Sequence, residues 1–122
     1  MANPHARGEL ERVDWQVAVI GRIPCKVAEG LWPGQFSVTI EFEFKGQRER
    51  LRTLAHDSDV YLYGERPSGD RLVDGEIRVR VLGKLDGGVL VRLPQETLNS
   101  GPNIVVPKSL VRGEIRELIP SG

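Results

Sequence analysis

"FSVTIEFEF", residues 36–44, alternates without a fault: Phe36, Val38, Ile40, Phe42 and Phe44 share one parity, and Ser37, Thr39, Glu41 and Glu43 share the other. Successive side chains of a strand point to opposite faces, so this spelling describes a strand with one face in a core and the other in water. Lys45-Gly46 follows, and then "QRERLRTL". A two-residue hairpin loop at Lys45-Gly46 sets Glu43 opposite Arg48, Glu41 opposite Arg50 and Ile40 opposite Leu51. Charges then match on the outer face and apolar groups on the inner one. A slip of one residue destroys both matches at once, which specifies the register.

The same reasoning applies to "EIRVRVLGKLDGGVLVRL", residues 76–93. A two-residue loop at Asp86-Gly87 sets Val81 beside Arg92 and Lys84 beside Val89, which mixes inner and outer residues. A three-residue loop, Asp86-Gly87-Gly88, puts Leu85 opposite Val89, Gly83 opposite Val91 and Val81 opposite Leu93, and supplies a glycine for the left-handed position. This second register is the expectation. Ile77 and Val79 then extend the inner face, while Arg78, Arg80, Leu82 and Lys84 line the outer one beside Leu90 and Arg92.

The rest of the chain has the same texture. Short runs of Val, Ile, Leu and aromatics are separated by 14 Gly and 8 Pro residues, the punctuation of strands and turns. Strands are expected over 15–23, 36–44, 48–54, 60–63, 76–85, 89–93 and 103–106. No window holds an apolar i, i+3, i+4, i+7 stripe long enough for a helix of several turns; "GELERV" and "PQETL" each suit a single turn. At 122 residues the chain fits one domain with one core. The expected division is a flexible tail over 1–12 and a single β-barrel domain over 13–122.

Composition limits the functional classes. Lys plus Arg and Asp plus Glu are equal at 17 each, so no global field favours a polyanion or an anionic membrane, and any charge-based role rests on local patterning. A single cysteine, Cys25, excludes an internal disulfide framework and a cysteine zinc site, and points to a reducing, cytoplasmic setting. "MANPHARGELER" lacks the apolar segment of a secretory signal, and no run is long enough to span a membrane.

Three groups of residues invite a chemical reading. Arg78, Arg80, Lys84 and Arg92 form the strongest local concentration of charge, a footprint suited to phosphates of a nucleic acid. The competing account is a solvated face, or one covered by the acids of the first hairpin; no aromatic interleaves with these cations as a stacking platform requires. "AHDSDVYLYGE", 55–65, groups His56, Asp57 and Asp59, but a metal needs three or four converging ligands and His5 lies in the expected tail. Asp57-Ser58-Asp59 reads more simply as a turn ahead of a strand. No cofactor or catalytic motif is present, and Cys25, between Pro24 and Val27, suits a core position. Tyr61 and Tyr63 share one strand face, and with Trp32 of "LWPGQ" they offer flat amphipathic contact area, or else serve as sheet-edge core residues with wet hydroxyls.

"NIVVPKSLV", residues 103–111, resembles the closing segment of Src-homology-three-like small barrels, in which a strand runs into a proline, a single tight turn and a final short strand. The resemblance implies that Pro107 stands at the groove proline, Lys108 and Ser109 at the turn, and Val111 in the last strand. It implies an all-β fold, a small and partly open antiparallel barrel with little helix. Leu110 replaces the groove tyrosine of signalling members, so their recognition of proline-rich peptides is not implied. The expected function is a non-catalytic binding or assembly module that engages a protein partner or a second copy of itself through Trp32, Tyr61, Tyr63, Pro107 and Leu110. RNA binding through the basic hairpin face is the alternative.

Overall fold

The structure, a computed structural model, describes residues 15–95 and 101–120. The expected tail over 1–12, His5, "GELERV" and most of "PQETL" lie outside them. The strands are β1 (Trp15–Glu29), β2 (Gln35–Phe44), β3 (Gln47–His56), β4 (Val60–Leu62), β5 (Val73–Leu85), β6 (Gly88–Arg92), β7 (Asn103–Val106) and β8 (Arg112–Pro120). Two 3-10 turns, Asp57–Asp59 and Lys108–Leu110, are the only helical elements among the described residues. All eight strands join one antiparallel sheet ordered β3-β2-β1-β5-β6-β7, with β4 added to β5 and β8 to β1. The sheet curls into an open half-barrel, so the fold is all-β, small and partly open.

The first hairpin has the expected register throughout. Ile40 pairs with Leu51, Glu41 with Arg50 and Glu43 with Arg48. Lys45 and Gly46 both take left-handed backbone angles, φ 52° and 76°, the type I′ geometry whose twist matches that of the strands it joins. Phe36, Val38, Ile40 and Phe42 are buried, and the outer charges concentrate on Glu41, which lies 3.2 Å from Arg48 and 3.9 Å from Arg50.

The second hairpin corrects the three-residue loop. Leu85 pairs with Gly88, Lys84 with Val89 and Gly83 with Leu90, whereas beyond a bulge at Leu82 Val81 pairs with Val91 and Arg80 with Arg92. Asp86 and Gly87 again form the left-handed pair of a two-residue turn, φ 52° and 80°. The conflict of faces that argued against this turn is resolved by one extra residue, which changes the parity of the strand. The bulge also moves Lys84 off the outer face, so the expected row of Arg78, Arg80, Lys84 and Arg92 is broken.

β1 runs further than expected and organises the sheet. One edge pairs with β5 from Val19 to Val27; the other pairs with β8 up to Arg22 and with β2 from Lys26 onward. Pro24 falls between those two partners, where no described strand lies on this edge to receive an N–H. β8 extends well past the short strand implied at Val111. Its ladder to β1 shifts between Ile20 and Arg22, where Gly113 takes φ 60°. The backbone angle favours glycine there, and a Cβ on Gly113 would lie 2.5 Å from a guanidinium nitrogen of Arg22, whose side chain would have to move aside.

One core fills the curve. Ile23, Val27, Val38, Ile40, Ile77, Val91 and Val106 are sealed from solvent, and Leu110 and Val111 pack against its margin. Cys25 belongs to this core; burial first, then the Glu76 and Asp74 carboxylates, push its thiol up to about 12. No helix among the described residues is long and apolar enough to cross a membrane.

Candidate functional site

Alternation along β5 sends Ile77 and Val79 inward and Glu76, Arg78 and Arg80 to the convex face. Glu76 is nonetheless buried. Arg22 from β1 and Arg112 from β8 approach its carboxylate at 3.5 Å and 3.7 Å, and the Arg22 guanidinium also lies 5.2 Å from the centre of the Tyr61 ring. Tyr63 adjoins the same carboxylate. Partial desolvation, followed by a hydrogen bond to Glu76, raises its hydroxyl above the ordinary value. A carboxylate held by two arginines is a structural clamp joining three strands. Its members are scattered through the sequence, and no local pattern announces it.

The five residues expected to form one contact patch are dispersed. Tyr61 and Tyr63 are exposed around the Glu76 clamp. Trp32, 69% exposed, sits in the loop between β1 and β2 beside Pro33, Phe36, Arg66 and Pro67. Pro107 precedes the second 3-10 turn and accepts the Leu110 N–H at 3.0 Å, and Leu110 turns toward the core. His56 is exposed at the end of β3, and Asp57 lies 3.7 Å from Arg66. Among the described residues no group of three His, Cys, Asp or Glu side chains is placed to hold a metal.

Three of the four expected cations stay together. Arg78, Arg80 and Arg92 line one hollow of about 380 Å³ with Ile20, Asp59, Leu93, Pro94 and Ile119. Arg78 is paired with Glu117 of β8, across β1. Arg80 and Arg92 are direct ladder partners, and among the described residues neither lies within ion-pair distance of a carboxylate. No acid of the first hairpin lies within ion-pair distance of them, and Glu41 serves Arg48 and Arg50 instead. Like charges opposite one another on a ladder cost on the order of 0.2–1 kcal/mol, a cost that no direct ion pair among the described residues offsets.

A second surface was absent from the expectations. Among the described residues β8 pairs only with β1, so no described strand covers its outer edge. Val17 and Leu118 are partners on that ladder, yet they are 58% and 66% exposed, with Trp15 at 58% beside them. By alternation these lie on the concave face with Val19, which borders an apolar hollow of about 690 Å³ reaching to Val81, Leu85 and Val89. Ile115, on the opposite face of β8, is 55% exposed. Trp15, Val17 and Val19 alternate in "DWQVAV"; what the sequence could not say was that Trp15 and Val17 are left uncovered.

Comparison with known protein families, with curated proteins and with solved structures found no match in any of the three.

Proposed function

We propose that this half-barrel is a non-catalytic binding and assembly module whose occupant is a second copy of the same chain, paired along β8. The observation that carries the reading is a strand whose outer edge no described residue pairs with, with exposed apolar residues on both faces, the pattern of a strand suited to the interior of a larger sheet. Charge complementarity selects the copy. Glu114 and Arg116 have no ion-pair partner among the described residues. Antiparallel pairing of two β8 strands about Ile115 sets each Glu114 opposite Arg116 of the second copy, twice, with Ile115 against Ile115 at the centre.

The relation to Src-homology-three-like barrels is part of the same proposal. It is supported by β7 running into Pro107, the 3-10 turn at Lys108–Leu110 and the return of β8 to β1. A reducing cytoplasm suits the single buried Cys25.

Light scattering coupled to size exclusion tests the assembly. The wild type elutes as a dimer, Glu114→Arg dissociates it by placing arginine against arginine, and adding Arg116→Glu restores it by exchanging both charges. A wild type that stays monomeric across concentration, or a dimer indifferent to Glu114→Arg, overturns the reading.

A further inference from the structure

We propose that Arg80, Arg92 and the hollow beside them bind a nucleoside monophosphate unit, either free or as one link of a single-stranded nucleic acid. This site is on the convex face and does not depend on the pairing of β8.

The first observation is an imbalance of charge. The neighbouring Arg22, Arg78 and Arg112 are each held by a carboxylate, whereas Arg80 and Arg92, side by side on β5 and β6, have none among the described residues. Guanidinium groups present planar forks of donors that match phosphate oxygens in pairs, so two adjacent forks favour a phosphate group between them. A bound phosphate would turn their mutual repulsion into attraction for a shared anion.

The second observation is the lining of the hollow. Ile20, Leu93, Pro94 and Ile119 give it apolar walls, and Asp59 stands at the same hollow with no ion-pair partner among the described residues. Its volume of about 380 Å³ falls within the range of small-ligand pockets. The three chemistries sort a nucleotide into parts: phosphate at the arginines, ring and sugar carbons against the apolar walls, and a base amine or ribose hydroxyl donating to Asp59. A bare phosphate leaves the apolar walls and Asp59 unused.

Fluorescence anisotropy with labelled single-stranded RNA and DNA of mixed sequence, and calorimetric titration with the four ribonucleoside monophosphates and inorganic phosphate, test this on the full chain. Binding of a nucleoside monophosphate more tightly than inorganic phosphate is expected, and Arg80→Gln or Arg92→Gln should weaken it about tenfold or more. If a strand is the natural source, oligonucleotides bind more tightly than mononucleotides, and affinity falls with salt with a log–log slope of about 0.7 per phosphate neutralised; equal affinities assign the site to the free nucleotide. Arg92→Glu separates function from folding, because it places opposite charges on the Arg80 ladder pair: its thermal midpoint should equal or exceed that of the wild type while binding is lost. No binding at low salt, binding that survives Arg92→Glu, or inorganic phosphate bound as tightly as the nucleotides overturns the proposal.

Discussion

Ile40 faces Leu51 across the β2–β3 ladder with none of its surface open to water, while the next pair along, Glu41 and Arg50, stands in solvent. Two adjacent positions on one strand therefore carry opposite energetic weights. Ile40→Ala should cost roughly 2–5 kcal/mol through lost burial and the cavity left behind. Glu41→Ala removes exposed ion pairs and should cost under about 1 kcal/mol. Urea denaturation of both variants, compared at unchanged m-value, checks the contrast; equal losses would mean that the face assignment is wrong.

Gly113→Ala tests the clamp around Glu76 from a distance. The left-handed backbone alone costs a side chain about 1–2 kcal/mol, and the new Cβ must also displace the Arg22 guanidinium that it would touch. In an Arg22→Ala background the second contribution vanishes. A double-mutant cycle should therefore show the glycine substitution costing less when Arg22 is already gone; strict additivity would deny the contact.

Cys25 sets a pH dependence of stability. Its folded thiol titrates at about 12 against an ordinary value of 9.0, so above pH 9 the unfolded chain ionises while the folded chain stays protonated. The raised folded value contributes stability below pH 9 that is lost as pH climbs toward 12, at about 1.4 kcal/mol per unit. Denaturation at pH 8, 9.5 and 10.5 should show the wild type losing ground relative to Cys25→Ala. Parallel curves for the two proteins would contradict it. The same burial leaves the native thiol inert toward a thiol-specific reagent until the chain unfolds.

Deleting Leu82 should leave the second hairpin folded. The pairs flanking the bulge, Val81 with Val91 and Gly83 with Leu90, become consecutive once Leu82 is removed, and Leu82 itself is exposed. Stability should change by no more than about 1 kcal/mol, and hydrogen exchange should find β5 and β6 protected to the turn. Loss of that protection would show that the bulge sets the local twist the sheet needs.

The bulge also marks where the sequence stopped being readable. In the first hairpin, periodicity, charge pairing and a two-residue turn agreed, and the register of Ile40 with Leu51 followed. In the second, periodicity and turn chemistry disagree, and a longer loop and an extra residue mid-strand both reconcile them; Gly83, beside Leu82 with φ 155°, is the local mark of the bulge, and a lone glycine in a strand does not by itself specify one. The same extra residue moves Lys84 to the other face. Pro24 and Gly113 hid the reach of β1 and β8 for a related reason: both residues argue against a strand locally and are accommodated only by a gap or an irregularity in the neighbouring ladder. At the candidate sites, the identity of Arg80 and Arg92 was legible, but their lack of carboxylate neighbours is a property of the assembled sheet. So is the dispersal of Trp32, Tyr61, Tyr63 and Leu110.

β1 and β8 are ladder partners from Trp15 with Pro120 to Arg22 with Arg112, although nearly the whole described chain separates them. During synthesis at roughly 5–20 residues per second, one edge of β1 must wait several seconds for the strand that covers it. Throughout that interval the first half of β1 offers free hydrogen-bonding groups to any extended polypeptide nearby, another nascent copy on the same message included. The order in which the ribosome delivers these strands thus makes completion of the half-barrel a race between late intramolecular closure and capture by a neighbour.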